Sequence, residues 1–221
     1  MELFCVVVPI ILVILSQSYI NSCYKKYSNA NVSSRMNGCD TARKILNDNN
    51  LGKVKIGKIS GVLTDNFNSS TNRVSLSENV YSDHTIASVA VAAHECGHVM
   101  QHKEKYFFIV LRSILVPIIN FSSKFGYIVM VIGTIASVFD IVILGLIFMS
   151  LALVFQLITL PCEFDASRRA KKELVRLNII DKSEYDYVDD MLRSAAFTYV
   201  ASFFASLLQM IGLFLRLKDN D

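Results

Sequence analysis

Paired cysteines are missing from this 221-residue chain: Cys5, Cys23, Cys39, Cys96 and Cys162 are odd in number, scattered, and never form CxxC. That argues against a disulfide framework and favours a reducing compartment for the polar part of the chain. Excess charge is missing too. A net charge of +3, with no aromatic-and-basic platform, C2H2 pattern or RNP-like motif, sets nucleic acid aside as a partner. Ionisable groups are scarcest in the second half. Between Lys124 and Glu163 only Asp140 breaks the run, apart from Tyr127 and Cys162. With 52% hydrophobic and 19% charged residues overall, this run points to lipid and not merely to a large core. Neither an internal repeat nor a low-complexity block is present, and the length suits one membrane-embedded domain over residues 1–221.

What is there begins with apolar stretches. Residues 3–19 (LFCVVVPIILVILSQSY) carry no charge. They lack a basic n-region and a small-residue cleavage site, so an uncleaved anchor is expected rather than a signal peptide. Residues 125–160 are too long for one crossing and suit two of roughly 18 residues each. These are placed at 125–139 and 141–160, with a tight hairpin tip around Asp140. Residues 195–215 complete four expected spans. Residues 106–120 are apolar but short and interrupted by Arg112 and Pro117, and a buried or interfacial helix is expected there. Lys25 and Lys26 follow the first span, and Arg168, Arg169, Lys171, Lys172 and Arg176 follow the third. By the positive-inside rule, 21–124 and 161–194 face the cytoplasm of a multi-pass cell-membrane protein. Arg216 and Lys218 pull the other way, accompanied by Asp219 and Asp221.

The polar segments change period along their length. Ala42, Ile45 and Leu46 have helical spacing, with Asp40 as the expected cap. Val54 and Ile56, then Val74 and Leu76, alternate with polar residues around the turn-rich NFNSSTN, which predicts a short β-hairpin or two short strands. From Asp83 to about Lys103 the alanine-rich pattern predicts a helix capped by Asp83 or Ser82. Ser183 is placed to cap a last helix leading into the fourth span.

That alanine-rich helix carries VAAHECGHVMQH, residues 91–102. Residues four apart on a helix share a face, so His94 and His98 can aim two imidazoles at one metal ion. Glu95 lies about 100° round the helix, where it can reach a metal-bound water without ligating the metal. Gly97 leaves room for a close neighbour. His102 cannot be the third ligand, because it lies about 12 Å along the helix from His94, and HExxHxxGxxH is not present. Asp140 is expected across the membrane. The remaining donors stand in LPCEFDASRRA, where Glu163 is preferred over Cys162 and Asp165.

The blocks SGVLTD, LSENVY, SVAVAAHECGHVMQH, RSILVPI, FQLITLPCEFDASRRA and AAFTYVA, in that order, resemble the YugP-type neutral zinc metallopeptidases, which are bacterial membrane proteases of gluzincin type. The resemblance covers nearly the whole chain. It implies a mainly α membrane protein with a small zincin-like α+β cytoplasmic portion. It also implies zinc (Zn2+) held by His94, His98 and Glu163, with Glu95 as catalytic base. One departure stands out: the family's HYDP after LTD is NFNS here, Asn66 to Ser69. The expected partners are the lipid bilayer and a polypeptide substrate, membrane-associated or membrane-proximal. A non-catalytic metal-binding scaffold or adaptor is the alternative. An intramembrane protease fits poorly, because no aspartate motif follows in a later span, and a transporter lacks paired carboxylates in its spans.

Several residues carry a structural reading beside a functional one. Tyr199, Arg168 and Arg169 could donate to an oxyanion, but are preferred as an interfacial aromatic and topology anchors. Strand RVSLS could pair with an extended substrate by edge addition. Asp65 is expected to bind turn amides. His84 and His102 are expected at the surface. Cys96 is expected as a packing residue, with oxidative inhibition conceivable beside Glu95.

Overall fold

The computed structural model describes residues 2–136 and 138–219. Among them the elements run α1 (Glu2–Tyr27), α2 (Gly38–Asp48), β1 (Lys55–Ile59), β2 (Asn66–Asn68) and β3 (Arg73–Ser77). They continue with α3 (Glu78–Ser82), α4 (Ile86–Lys103), α5 (Phe107–Ala136), α6 (Phe139–Arg176) and α7 (Tyr185–Asp219). The chain divides into two compact units, one of Met1–Gln17, Phe107–Pro161 and Phe197–Asp221, the other of Ser18–Tyr106 and Cys162–Ala196.

In the first unit large apolar side chains point outward. Phe4, Ile14, Ile114, Ile135 and Phe214 are each more than half exposed. A soluble protein rarely tolerates such continuous apolar surface, whereas hydrocarbon requires it. Helices α1, α6 and α7 each contain a stretch long and apolar enough to cross a membrane, within Phe4–Tyr27, Asp140–Arg176 and Tyr185–Leu215. Those stretches contain most or all of the expected spans 3–19, 141–160 and 195–215. Of expected span 125–139, residues 125–136 form the later part of α5, a 30-residue helix with Pro117 inside it, which is not among the three stretches long and apolar enough to cross found in the described residues. The separate buried or interfacial helix expected at 106–120 is the first part of that same helix. It is not buried: Phe107 and Ile114 are 68% and 60% exposed. Small residues let α5 and α6 approach closely. A methyl group at Gly133 would lie 2.7 Å from the backbone nitrogen of Val142, and one at Gly126 would lie 2.7 Å from Cβ of Phe148. The expected tip residue Asp140 sits in the first turn of α6; the connection itself falls at 137–138, of which Ser137 lies outside the described residues.

The second unit surrounds a core that includes Ile45, Leu46, Val74, Leu76, Val80, Ile86, Val89, Leu174, Ile179 and Met191. Its sheet has the order β1-β3-β2. The expected pairing of 54–56 with 74–76 exists, but β1 and β3 run parallel, Ile56 opposite Val74. The hairpin is instead β2 with β3, antiparallel, Phe67 opposite Val74. Its turn is closed by Asn68, whose side chain accepts a hydrogen bond from the Thr71 amide. The NFN read as turn is therefore a strand. Central β3 (RVSLS) has both edges occupied, which removes it as a docking edge for an extended peptide. Asp65 does bind a backbone amide, but that of Ser77 at the end of β3, at 2.7 Å, and not those of the turn.

Two helix starts differ from expectation. Asn37, not Asp40, caps α2, accepting from the Asp40 amide at 2.7 Å. Asp40 occupies the first turn instead, where a negative charge suits the helix dipole. Helix α4 begins at Ile86 behind Thr85, whose hydroxyl accepts from the Ser88 amide. Asp83 and Ser82 cannot serve there, because a bridge between Asn31 and Thr85 and the Val32 amide bound to the His84 carbonyl hold 84–85 extended.

Candidate metal centre

All three expected donors lie in the second unit. His94 and His98 project from one face of α4, their rings edge to face with centroids 4.8 Å apart. Glu163 comes from α6. The crossing of these helices depends on size: a methyl group at Gly97 would lie 2.5 Å from the carbonyl oxygen of Ala166. Backbone meets backbone there, so α6 runs close enough to deliver Glu163 between the two imidazoles. Its Oε2 is 3.2 Å from His94 Nε2 and 3.6 Å from His98 Nε2.

These distances test whether the residues suit zinc. Bonds of about 2.0–2.1 Å in a tetrahedral site put neighbouring donors about 3.3 Å apart. The two measured spacings bracket that figure, and all three donor atoms lie within 4.8 Å of one another. The side chains keep 15%, 11% and 3% of their surface for His94, His98 and Glu163, so the cluster is shielded but not sealed.

The hydrogen bonds behind the rings aim them. His94 Nδ1 meets the Ser167 hydroxyl at 3.2 Å, and His98 Nδ1 meets Gln101 Oε1 at 3.0 Å. A ring that gives its Nδ1 proton outward turns a lone pair at Nε2 toward Glu163. With both rings in that form, two lone pairs would face one carboxylate oxygen, an arrangement that a cation among them stabilises. The donor set therefore suits a divalent ion.

Glu95, adjacent to His94, is buried at 7% exposure. Burial pushes its carboxyl above the ordinary glutamate range, nearby Glu163 and Asp65 push the same way, and the imidazoles of His98 and His94 pull it back. Cys96 is fully buried and its thiol is pushed up, first by that burial and then by the charge of Glu95. It packs, as the sequence reading expects, and is not open to an oxidant, which removes the oxidative inhibition that its place beside Glu95 made conceivable.

The other expected residues divide cleanly. Asp165 lies two residues beyond Glu163 and is held by Gln101, Arg169 and Arg168. Cys162 is fully buried, and its carbonyl accepts from Gln101. Neither joins the cluster. His84 and His102 are exposed, the latter with its ring against Phe67. Tyr199 belongs to the first unit, whereas the cluster is built within the second. Sequence reading missed Gln101 and Ser167. Spacing was the available signal, since Gln101 stands three residues after His98 and Ser167 four after Glu163, on the faces that the donors use.

Residues 2–218 match the family described as putative neutral zinc metallopeptidase. The "Putative membrane protease YugP" of Bacillus subtilis (strain 168) is 39% identical over 209 residues, 93% of this chain and 93% of that protein. No solved structure matches the chain. With a match across nearly its full length, the chain belongs to the putative neutral zinc metallopeptidase family.

Proposed function

We propose that the protein is a membrane-bound zinc metallopeptidase that hydrolyses peptide bonds in membrane-associated or membrane-proximal polypeptides. His94, His98 and Glu163 hold the metal and Glu95 is the general base. The observation that carries this reading is the approach of Glu163 to both imidazoles, from a helix 69 residues away in sequence, at spacings that suit tetrahedral zinc. When bound, zinc lowers the pKa of a water molecule to about 7 and polarises a carbonyl group. The chain does the rest. The Glu95 carboxylate takes the proton of the attacking water and returns it to the leaving nitrogen. Ser167 and Gln101 keep the rings in register while this happens.

The cluster also supports four crossings. His94 and Glu163 meet in one unit, so the chain between them must leave and return to the same membrane face. If α6 crosses, α5 must cross as well, which makes α5 the second of four spans. The lysines and arginines after the first and third spans put the site at the cytoplasmic face.

Purified protein in detergent, assayed with unfolded polypeptides and for bound zinc, tests the reading. Glu95→Gln should keep one zinc and lose activity by about 10²–10⁴-fold, the usual contribution of a general base. A metal-binding scaffold without chemistry predicts no cleavage by either protein. Equal cleavage by both rules out Glu95 as the base.

A further inference from the structure

Gln101 is fully buried, yet it has three polar partners on two helices. Its Nε2 donates to the Cys162 carbonyl at 2.7 Å and to Asp165 Oδ2 at 3.0 Å. Both acceptors lack a proton to give. Turning the amide over would set its oxygen against them, so the side chain has one orientation. In that orientation Oε1 faces His98 Nδ1 at 3.0 Å. An amide oxygen only accepts, so Nδ1 carries a proton, and in the neutral ring the lone pair is left on Nε2, which faces Glu163.

Asp165 is held in turn. It is 5% exposed and takes hydrogen bonds from Arg169 Nε at 2.6 Å and from Arg168. Arg169 also reaches Glu104, just past the end of α4, at 2.8 Å. Glu163 thus lies on the stretch of α6 that this network clamps to α4. Two carboxylates two residues apart point to different tasks, one among the imidazoles and one behind Gln101.

We propose that Gln101 and Asp165 form a positioning pair that selects the Nδ1-protonated form of His98 and so sets the metal affinity of the site. This rests on the zinc reading above. Asp165, an alternative ligand by sequence, is the anchor that orients the amide. The hydrogen bond that Gln101 Oε1 accepts from Nδ1 also makes His98 a stronger donor at Nε2.

Zinc affinity, measured by chelator competition on wild type, Gln101→Met and Asp165→Asn in detergent, tests the pair. Methionine fills the same space without a hydrogen bond. Gln101→Met should bind zinc about 10–100-fold more weakly, as loss of an outer hydrogen bond to a ligand usually does. Asp165→Asn should weaken binding in the same direction. Ring-nitrogen NMR of the zinc-free wild type at about pH 8, above the ordinary imidazole range, should show His98 protonated at Nδ1, and Gln101→Met should lose that preference. A purely structural role would lower the melting temperature and leave the ring's proton where it was. Wild-type affinity in Gln101→Met, or Nε2-protonated His98 in folded wild type, overturns the inference while leaving the zinc reading intact. Wild type that takes up no zinc overturns both. If Gln101→Met does not fold, Asp165→Asn and the wild-type spectrum decide.

Discussion

Glu95 is a buried acid whose neighbours act in opposite directions. Burial favours its protonated form, the nearby carboxylates add to that, and the two imidazoles oppose it. A carboxyl raised above its unfolded value contributes most to stability below the ordinary glutamate range, and loses that contribution as pH rises through the raised pKa. Glutamine mimics the protonated form at every pH. Metal-free Glu95→Gln should therefore melt above wild type at about pH 8, with the gap closing toward about pH 4. The same exchange removes the proposed base, so the variant should gain stability as it loses chemistry, the trade expected where a costly buried group is kept for function. Melting curves of the two metal-free proteins across that range check the sign. A wild type that melts higher at pH 8 contradicts it.

Between elements, Gly97 decides whether α6 can lie against α4. An added methyl meets the Ala166 carbonyl at 2.5 Å and cannot swing away, because both partners are backbone. Gly97→Ala should cost about 1–3 kcal/mol, as overpacking usually does, and should weaken zinc binding by moving Glu163. Thermal unfolding and chelator competition on the same sample measure both. Helix α4 was legible in sequence because histidine spacing and alanine content are local signals. Its first residue was not, because Thr85 becomes the cap only once Asn31, far back in the chain, bridges to it. The sheet failed for a similar reason. Alternation in 54–56 and 74–76 marks strands, but parallel pairing with β2 as the other neighbour of β3 comes from contacts that no period encodes. Glu163 was readable from its place after an apolar run. Gln101 had only its spacing from His98 to mark it, since glutamine at the end of a helix looks like a surface residue until the carbonyl of Cys162 and the carboxylate of Asp165 are seen behind it.

For the whole molecule, the exposed apolar side chains of the first unit need hydrocarbon, and the buried donor cluster of the second needs a polar face. In the proposed four-span topology the 36 residues of 125–160 would return the chain to the face it left. Single cysteines placed in a cysteine-free background should report this. Asp140→Cys should react with an impermeant reagent from outside intact cells, and Lys58→Cys only after the membrane is opened. The reverse pattern would invert the proposed orientation, and labelling of both from one side would mean that α5 does not cross. The central claim is tested most directly by the zinc content and affinity of purified wild type beside Glu163→Gln. One tightly bound zinc per chain in wild type, with a loss of affinity of at least about 10-fold in the variant, is the predicted result. Undiminished zinc in Glu163→Gln, or none in wild type, would contradict it.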